Sequence, residues 1–266
     1  MRRILTKDNY PFLYETHLHT RQASACAYHT GAQMTQACKA AGYSGIIVTD
    51  HNWGGNTAIN RRMPWKYWVK EFCTGYRDAK QMGDKIGLQV FFGFEAGFQG
   101  TEFLIYGVDE TWLMSHEELR TATVEEQYQM IYEAGGMVIH AHPYREEDYI
   151  PEIRLYPEAV DGVEVINATH SCHRSTGHNV KAYDDRAIAY AAMHQLPMTA
   201  GSDIHKTDLL CGGMAFCKKL NSIQDFIAAV KGKEDYLLCN GDYWYSRAGE
   251  KMDEVEYDEV EYDEVE

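Results

Sequence analysis

Residues 42–52 read GYSGIIVTDHN, and the predicted fold rests on this stretch. Gly45 is followed by four consecutive apolar or β-branched residues, which is typical of a short strand buried on both faces. Strands of this kind belong to parallel sheets that are covered by helices. The strand ends at Asp50 and His51, whose side chains can bind a metal ion or cap the next element.

Strand and helix patterns alternate on both sides of this stretch. The predicted strands cover residues 13–16, 45–49, 88–92, 103–108, 137–139, 162–166, 197–200 and 236–239. The predicted helices cover residues 33–41, 65–82, 123–134, 180–194 and 222–230. Gly42 and Gly83 are expected to end the first two helices, and Thr123 with Glu126 forms a capping box.

The alternation predicts parallel βαβ units in one domain, because no Pro- or Ser-rich linker divides the chain. In a β/α barrel the carboxyl ends of the strands open onto one face, where such enzymes keep their active sites. His17, His51, Glu95, His142 and Asp203 each follow a predicted strand. We therefore expect these five side chains to converge in space.

Two pairs of candidate ligands, His17 with His19 and Asp203 with His205, are spaced two residues apart. Residues at this spacing on an extended chain point to the same side, so both can reach one ion. A single His-x-His pair is also compatible with two incidental histidines, and Asp50 is better explained as a cap. Imidazole and carboxylate ligands together suit zinc, manganese or iron.

The chain resembles the PHP (polymerase and histidinol phosphatase) family in six motifs, which occur in order between about residues 13 and 213. They are ETHLHT (15–20), AGYSGIIVTDHN (41–52), GFEAGF (93–98), GGMVIHAHPYR (135–145), DGVEVIN (161–167) and TAGSDIHKTD (199–208). The resemblance implies a distorted (β/α)7 TIM-like barrel with two or three divalent metal ions at the C-terminal ends of the strands. Members hydrolyse phosphate esters, including histidinol phosphate, nucleotides and oligonucleotide ends, and some are accessory domains of DNA polymerases.

The resemblance also implies a set of metal ligands, in which Glu95 matches the carboxylate that bridges two ions. The set is His17, His19, His51, Glu95, His142, Asp203 and His205. The family has a further histidine between the bridging carboxylate and His142 that has no match here, although Glu102 lies in the right neighbourhood.

One position departs from the family pattern. The family has an Asp or His eight residues after the first histidine, and here that residue is Ala25. Cys26, His29 and Glu15 are candidates to replace the missing ligand. Without a replacement, the site is expected to hold two ions, of manganese, zinc or iron.

Other polar residues are candidates for substrate contacts. Arg145 can clamp a phosphate through a bidentate guanidinium, or form a surface salt bridge. The loop that carries His170, His173 and His178 either overhangs the pocket or is a polar surface loop. His140 shares the side-chain direction of His142 and either lines the site or is buried and hydrogen-bonded.

Two further groups are expected to lie outside the site. His116 is interpreted as a surface residue. The tryptophans Trp53, Trp65 and Trp68 are expected to pack on the barrel exterior rather than to form a lid.

The predicted activity is hydrolysis of a small phosphomonoester or nucleotide-type substrate by a metal-activated water, with Arg145 binding phosphate oxygens. His51 or His205 would protonate the leaving group, and the missing ligand at Ala25 favours His51. One alternative is an amidohydrolase-type metal hydrolase, which cleaves amides or lactones. Another is a barrel in which the metal is structural, or a binding module that has lost catalysis.

The charge distribution disfavours long nucleic acid as a partner. The net charge is −15, of which nine acidic residues lie in residues 253–266, so the rest of the chain still carries −6. No run rich in Lys and Arg is present. We expect one domain over residues 1–250 and a disordered acidic tail over residues 251–266.

The cysteines and the hydropathy pattern indicate a cytoplasmic protein without a membrane span. The seven cysteines are odd in number and contain no CxxC pair, which argues against a disulfide framework or a zinc knot. No apolar run approaches the roughly 18 residues that cross a bilayer, and the N-terminus lacks the apolar stretch of a signal peptide.

Overall fold

The computed structural model describes residues 2–209 and 211–260. The strands are β1 Arg2–Leu5, β2 Phe12–Leu18, β3 Gly45–Val48, β4 Gln89–Phe98, β5 Thr101–Tyr106, β6 Met137–Ala141, β7 Gly162–Asn167, β8 Met198–Gly201, β9 Gly213–Phe216, β10 Tyr236–Cys239, β11 Tyr243–Ser246, β12 Lys251–Glu254 and β13 Glu256–Glu259. The α-helices are α1 Gly31–Ala40, α2 Trp65–Phe72, α3 Thr74–Ile86, α4 Glu110–Met114, α5 Val124–Glu133, α6 Ala168–Ser171, α7 Ala182–Met193 and α8 Ile223–Lys231. Two 3₁₀ helices cover Glu117–Arg120 and Thr207–Leu209.

Eleven of the strands form one curled sheet in the order β12-β11-β10-β9-β2-β3-β4-β5-β6-β7-β8. The curl brings the end of β8 back to β2, where Thr16 Oγ1 donates a hydrogen bond of 2.6 Å to the carbonyl of Ala200. Farther along, His19 N donates to the carbonyl of Ile204 at 3.0 Å. The fold is therefore a mixed α/β fold, as the strand and helix pattern predicted, and its main sheet is curled.

The prediction of parallel units throughout is wrong at β5 and at the other end of the sheet, where β9, β10, β11 and β12 are antiparallel to their neighbours. β2, β3 and β4 are parallel to one another, as are β6, β7 and β8, but β5 is antiparallel to both β4 and β6. Gln99 and Gly100 join β4 to β5 in a tight turn in which both have positive φ, 52° and 90°. Two such residues are typical of a two-residue hairpin, which leaves no room for a helix.

The single helix predicted over residues 65–82 is two helices, α2 and α3, which meet at Cys73. Gly83 does not end α3, because the helix continues to Ile86 and closes at Gly87, whose φ of 71° is left-handed. Gly83 is needed for close packing instead: a Cβ there would lie 2.5 Å from Val90 Cγ2. The capping box of Thr123 and Glu126 at the start of α5 is confirmed.

Part of the predicted disordered tail is ordered. β12 pairs with β11, and β13 pairs with β1 at the other end of the chain. The acidic repeat places Val255 and Tyr257 two residues apart, so both can face the protein while the acids face water. Val255 is buried, and Arg174 lies 4.8 Å from the centre of the Tyr257 ring. Residues 261–266 of the predicted tail lie outside the described residues.

None of the seven cysteines, all within the described residues, forms a disulfide bond, and five of them are buried, as expected for small hydrophobic side chains. Within the described residues, no helix is both long enough and apolar enough to cross a membrane.

Candidate metal centre

The seven predicted ligands lie together at one end of the curled sheet. They come from the end of β2, the segment that follows β3, the middle of β4, and the turns after β6 and β8. In contrast to the sequence-based expectation, Glu95 is inside a long strand rather than after one. Groups of these side chains that could hold a metal ion include His17–His19–Asp203, His17–Glu95–His142 and His19–His51–His205.

Three side chains at the centre, His17, His19 and Asp203, have the spacing of ligands around one ion. His17 Nε2 lies 3.1 Å from His19 Nε2 and 3.4 Å from Asp203 Oδ1, and His19 Nε2 lies 3.2 Å from the same Asp203 oxygen. Tetrahedral ligands at the usual Zn–N and Zn–O distances lie about 3.3 Å apart, so these three side chains fit a metal ion. Glu95 lies beside them, with Oε1 3.3 Å from His17 Nε2 and Oε2 3.5 Å from His19 Nε2.

Glu95 connects this group to a second one. Its Oε1 lies 3.1 Å from His142 Nε2, and its Oε2 lies 2.8 Å from His51 Nδ1. Despite that distance, the buried Glu95 Oε2 and His51 Nδ1 have no hydrogen-bond partner among the described residues. Buried polar atoms are rarely left without a partner, and two that face each other in this way suit two ligands of one ion.

Glu102 completes the second group, where the family pattern has a histidine. It lies on β5 opposite Ala141, and only about 9% of it is exposed. Glu102 Oε1 lies 3.6 Å from His51 Nδ1, and Oε2 lies 3.7 Å from His142 Nε2. Only the neighbourhood of Glu102 can be predicted from the sequence, because its inward direction depends on the antiparallel pairing of β5 with β4 and β6.

Hydrogen bonds to the Nδ1 atoms orient the paired histidines of β2. His17 Nδ1 contacts Glu164 Oε1 at 2.9 Å, and His19 Nδ1 contacts Ser24 Oγ at 3.1 Å. Asp50 accepts from Ser24 Oγ at 2.7 Å and is therefore a support rather than a ligand. Such partners fix the tautomer that leaves Nε2 free for a metal ion. The role of Glu164, a buried acid in the middle of β7, was missed in the sequence.

The backbone is strained at two of the candidate ligands. His142 has a φ of 29° and Asp203 has a φ of 54°, values that residues other than glycine rarely adopt. Strained residues of this kind cluster at functional sites, where the surrounding structure holds them in place.

The charges of the cluster suit metal binding. Burial raises the pKa of Glu95, but His17 and His51 outweigh it and hold the pKa well below its usual range. Burial likewise opposes ionisation of Asp203, and Arg145 and His17 hold its pKa well below normal. Both carboxylates are therefore ionised, the state that binds a cation.

Cys26 is the one of the three candidate replacements for the missing ligand that reaches the centre. Burial disfavours its thiolate, but hydrogen bonds with His205 and His51 outweigh burial and lower the pKa of Cys26 to about 7. His29 accepts from Thr207 N at 3.3 Å. Glu15 accepts from the backbone of His17 and is also held away from the centre.

Arg145 is not a surface residue. It is 5% exposed, and its guanidinium forms an ion pair with Asp203. Its Nε donates to His170 Nε2 at 3.1 Å, and His170 Nδ1 contacts Asp184 Oδ1 at 2.8 Å. A buried chain of Asp184, His170 and Arg145 thus leads to the candidate metal centre.

The centre opens into a cavity of about 690 Å³. Arg145, Glu102 and His205 line its inner part, and Tyr28, Tyr149, His178 and Lys206 also border it. The cavity is large enough for a small organic phosphate rather than only for water.

Four other histidines and the tryptophans lie elsewhere. His140 is fully buried and stacks on Phe103 with ring centres 4.9 Å apart. It does not face the centre, because the backbone turns at His142. His116 stacks on Trp112, His194 lies beside Tyr190, and His173 pairs with Asp242. The tryptophans pack into a buried aromatic cluster, as expected.

Known proteins provide an independent comparison. A family model described as the PHP domain matches residues 15–257. No curated protein matches the sequence significantly.

Solved structures share the fold at low identity. A two-domain protein from Bacteroides vulgatus ATCC 8482, which contains a predicted PHP-like metal-dependent phosphoesterase, is 14% identical with a TM-score of 0.68, and the match covers 92% of this chain and 70% of that one. PsfC from Pseudomonas syringae PB-5123 is 16% identical with a TM-score of 0.55, over 83% of this chain and 89% of that one. The lesion-specific endonuclease EndoQ from Pyrococcus furiosus is 15% identical with a TM-score of 0.55, over 88% of this chain and 58% of that one.

These structures support the fold, and the family model covers most of the sequence. The six motifs predicted the same relationship. The chain therefore belongs to the PHP domain family.

Proposed function

We propose that this protein is a metal-dependent phosphoesterase that hydrolyses a small phosphomonoester or nucleotide-type substrate. The observation that carries the proposal is the convergence of His17, His19 and Asp203, whose ligand atoms lie 3.1–3.4 Å apart, with Glu95 oxygens 3.3 and 3.5 Å from the two histidines. We interpret the curled sheet as a distorted (β/α)7 barrel with this centre at its C-terminal end.

Bound divalent ions would supply a Lewis acid and activate water near neutral pH. His17, His19 and Asp203 would hold one ion. Glu95, Glu102 and His142 would hold another. His51 would be a further ligand.

The chain itself supplies the groups that bind the phosphate and move protons. Arg145 borders the cavity and can donate to phosphate oxygens while its pairing with Asp203 fixes its position. His205 or His51 would donate a proton to the leaving oxygen. Exposure favours His205 over the sequence-based choice of His51, since their side chains are 25% and 9% exposed.

The size of the cavity and the acidic chain favour a small substrate over long nucleic acid. The endonuclease among the similar structures is a reason to include oligonucleotides in any test.

The proposal is tested with full-length protein that is stripped of metal and reloaded separately with manganese, zinc, iron(II) or magnesium. Each form is assayed on small phosphomonoesters, phosphodiesters, short oligonucleotides, an amide and a lactone. His17→Ala/His19→Ala is the inactive control, and Cys217→Ser, a change at an exposed cysteine, is the matched neutral control.

Metal-dependent phosphate release that is lost in the double variant supports the proposal, and the order of substrates narrows the target. Activity on the amide or lactone alone would instead indicate an amidohydrolase. Bound metal without any hydrolysis would indicate a structural metal site.

A further inference from the structure

Three imidazoles beside the shared carboxylate form a group of their own. Ligand atoms of His19, His51 and His205 lie within 4.8 Å of one another. The His19 ring stacks on both of the others with ring centres 4.4 Å apart. Because His19 also faces Asp203 and Glu95, only two imidazoles of this group remain to bind a further ion. A third donor atom is missing from the group.

Cys26 lies beside this group. It borders the same cavity as His51 and His205, and its side chain forms hydrogen bonds with both imidazoles. His29 and Glu15, the other candidates, are engaged by backbone amides elsewhere.

The loop that carries Cys26 is fixed to the centre on both sides. Ala25 N donates to the carbonyl of Asn56 at 2.8 Å, and Tyr28 N donates to the carbonyl of His205 at 3.0 Å. The second bond ties the loop to the segment that carries one of the imidazoles. The position of the thiol therefore follows from the backbone and not from a freely rotating surface loop.

We propose that Cys26 supplies a thiolate ligand to a divalent transition-metal ion held with His51 and His205, in place of the side chain that Ala25 cannot provide. On binding, the thiol releases its proton to solvent and the sulfur forms one bond to the ion. One sulfur and two nitrogen donors select zinc, cobalt(II) or iron(II) over magnesium. The inference rests on the proposed function in that the centre binds metal. It changes one part of that function, because an ion held by both His51 and His205 leaves neither imidazole free to donate a proton to the leaving group.

Cobalt(II) is the probe, because a thiolate bound to it gives a charge-transfer absorption band in the near ultraviolet. Full-length protein is loaded to saturation with cobalt, and bound metal is counted. Cys26→Ser is compared with Cys217→Ser, which removes an exposed thiol. Cys172→Ser is measured as well, and Cys26→Ser is also made in that background, because Cys172, with His173 and Asp242, is another group that could hold a metal ion.

We expect the band in the wild type and in Cys217→Ser, and its loss in Cys26→Ser together with one cobalt ion per chain. Cys26→Asp should recover the ion without the band. A band that persists in Cys26→Ser, or saturated wild type without a band, overturns the proposal.

Alkylation provides a second readout that does not need activity. Zinc should slow the reaction of Cys26 with iodoacetamide at least tenfold and leave Cys217 unprotected, as measured by peptide mass spectrometry. Equal reactivity of Cys26 with and without zinc would overturn the proposal. If the thiolate band is present but no phosphate ester is cleaved, the proposed function fails and this inference stands.

Discussion

His140 shows how strongly one residue can depart from what its neighbours suggest. It lies two residues before a candidate metal ligand, yet it is fully buried among aromatic rings. Neither ring nitrogen has a hydrogen-bond partner among the described residues. Burial, and then the nearby His142, lower the pKa of His140 to about 3, so the imidazole is neutral in the folded protein.

This environment predicts acid sensitivity. The pKa of His140 is about 3 when folded and 6.5 when unfolded, so the unfolded chain binds more protons between these values. Titration of His140 therefore leaves the free energy of unfolding unchanged above pH 6.5 and lowers it as the pH drops below that value. When the pH falls from 8 to 5, the free energy of unfolding of His140→Leu should rise by about 2 kcal/mol relative to that of the wild type. The change corresponds to roughly 1.4 kcal/mol for each pH unit below 6.5.

Denaturant unfolding of the metal-stripped proteins at both pH values measures this difference. His116→Leu is the control, because that imidazole is partly exposed. A His140→Leu advantage that does not change with pH would contradict the assignment of a neutral buried imidazole.

Asp184 is predicted to act on the reaction without touching substrate. Because Arg145 donates to His170 Nε2, the His170 proton must lie on Nδ1 and be accepted by Asp184. Asp184→Asn would favour the other tautomer and remove the acceptor that orients Arg145. We expect kcat/KM to fall about tenfold, roughly 1.4 kcal/mol, at an unchanged metal content.

Asp185→Asn is the matched control, since it alters an exposed acid on the same helix that pairs with Lys181. The positioning role predicts that the effect lies in binding and catalysis rather than in folding. An equal loss of activity in both variants, or a loss explained by lower thermal stability, would refute it.

At the scale of elements, Gly83 tests whether packing outweighs helix propensity. Alanine is the better helix former by about 1 kcal/mol. Its Cβ at this position would meet Val90 Cγ2 at 2.5 Å and the carbonyl of Leu88 at 2.6 Å. We expect Gly83→Ala to lower the free energy of unfolding by about 1–3 kcal/mol, the usual cost of overpacking.

Urea unfolding measures the change, and Lys85→Ala on the exposed side of the same helix is the control. A stabilised Gly83→Ala variant would show that α3 can move away from β4 at little cost.

Most helices and strands could be predicted from local patterns, and the exceptions have identifiable causes. The strand at 236–239 and the capping box at Thr123 are local features and were found. The hairpin turn at Gln99 lacks the Asn-Gly signal of such turns, so the antiparallel direction of β5 could not be predicted. The site followed the same rule: motif histidines were identified, whereas Glu102 depends on strand pairing across that hairpin.

At the scale of the whole molecule, the two ends of the described chain stabilise each other. β1 pairs with β13, and Arg2 forms an ion pair with Glu259. Tyr257 packs under Arg174, in the loop region that follows α6. The acidic repeat concealed this pairing in the sequence, because its charge predicts a solvated tail while its apolar residues form one strand face.

Removing the residues after Glu250 should therefore lower the free energy of unfolding by about 2 kcal/mol or more, because the apolar surface that Val255 and Tyr257 cover becomes exposed to water. A chain that stops at Val260 retains both strands and is the control. Thermal unfolding of the two chains measures the difference. Equal melting temperatures would show that β12 and β13 contribute nothing to the fold.

The pairing of β1 with β13 also sets an order of events during synthesis. Partners 257 residues apart, as Arg2 and Glu259 are, meet only after residue 259 has left the ribosome. Until then the backbone groups of β1 that pair with β13 face water, while the curled sheet from β2 to β8 can already assemble. β13 thus protects a strand that was made much earlier, and only a chain that extends as far as Glu259 conceals this exposed edge from proteases and from other nascent chains.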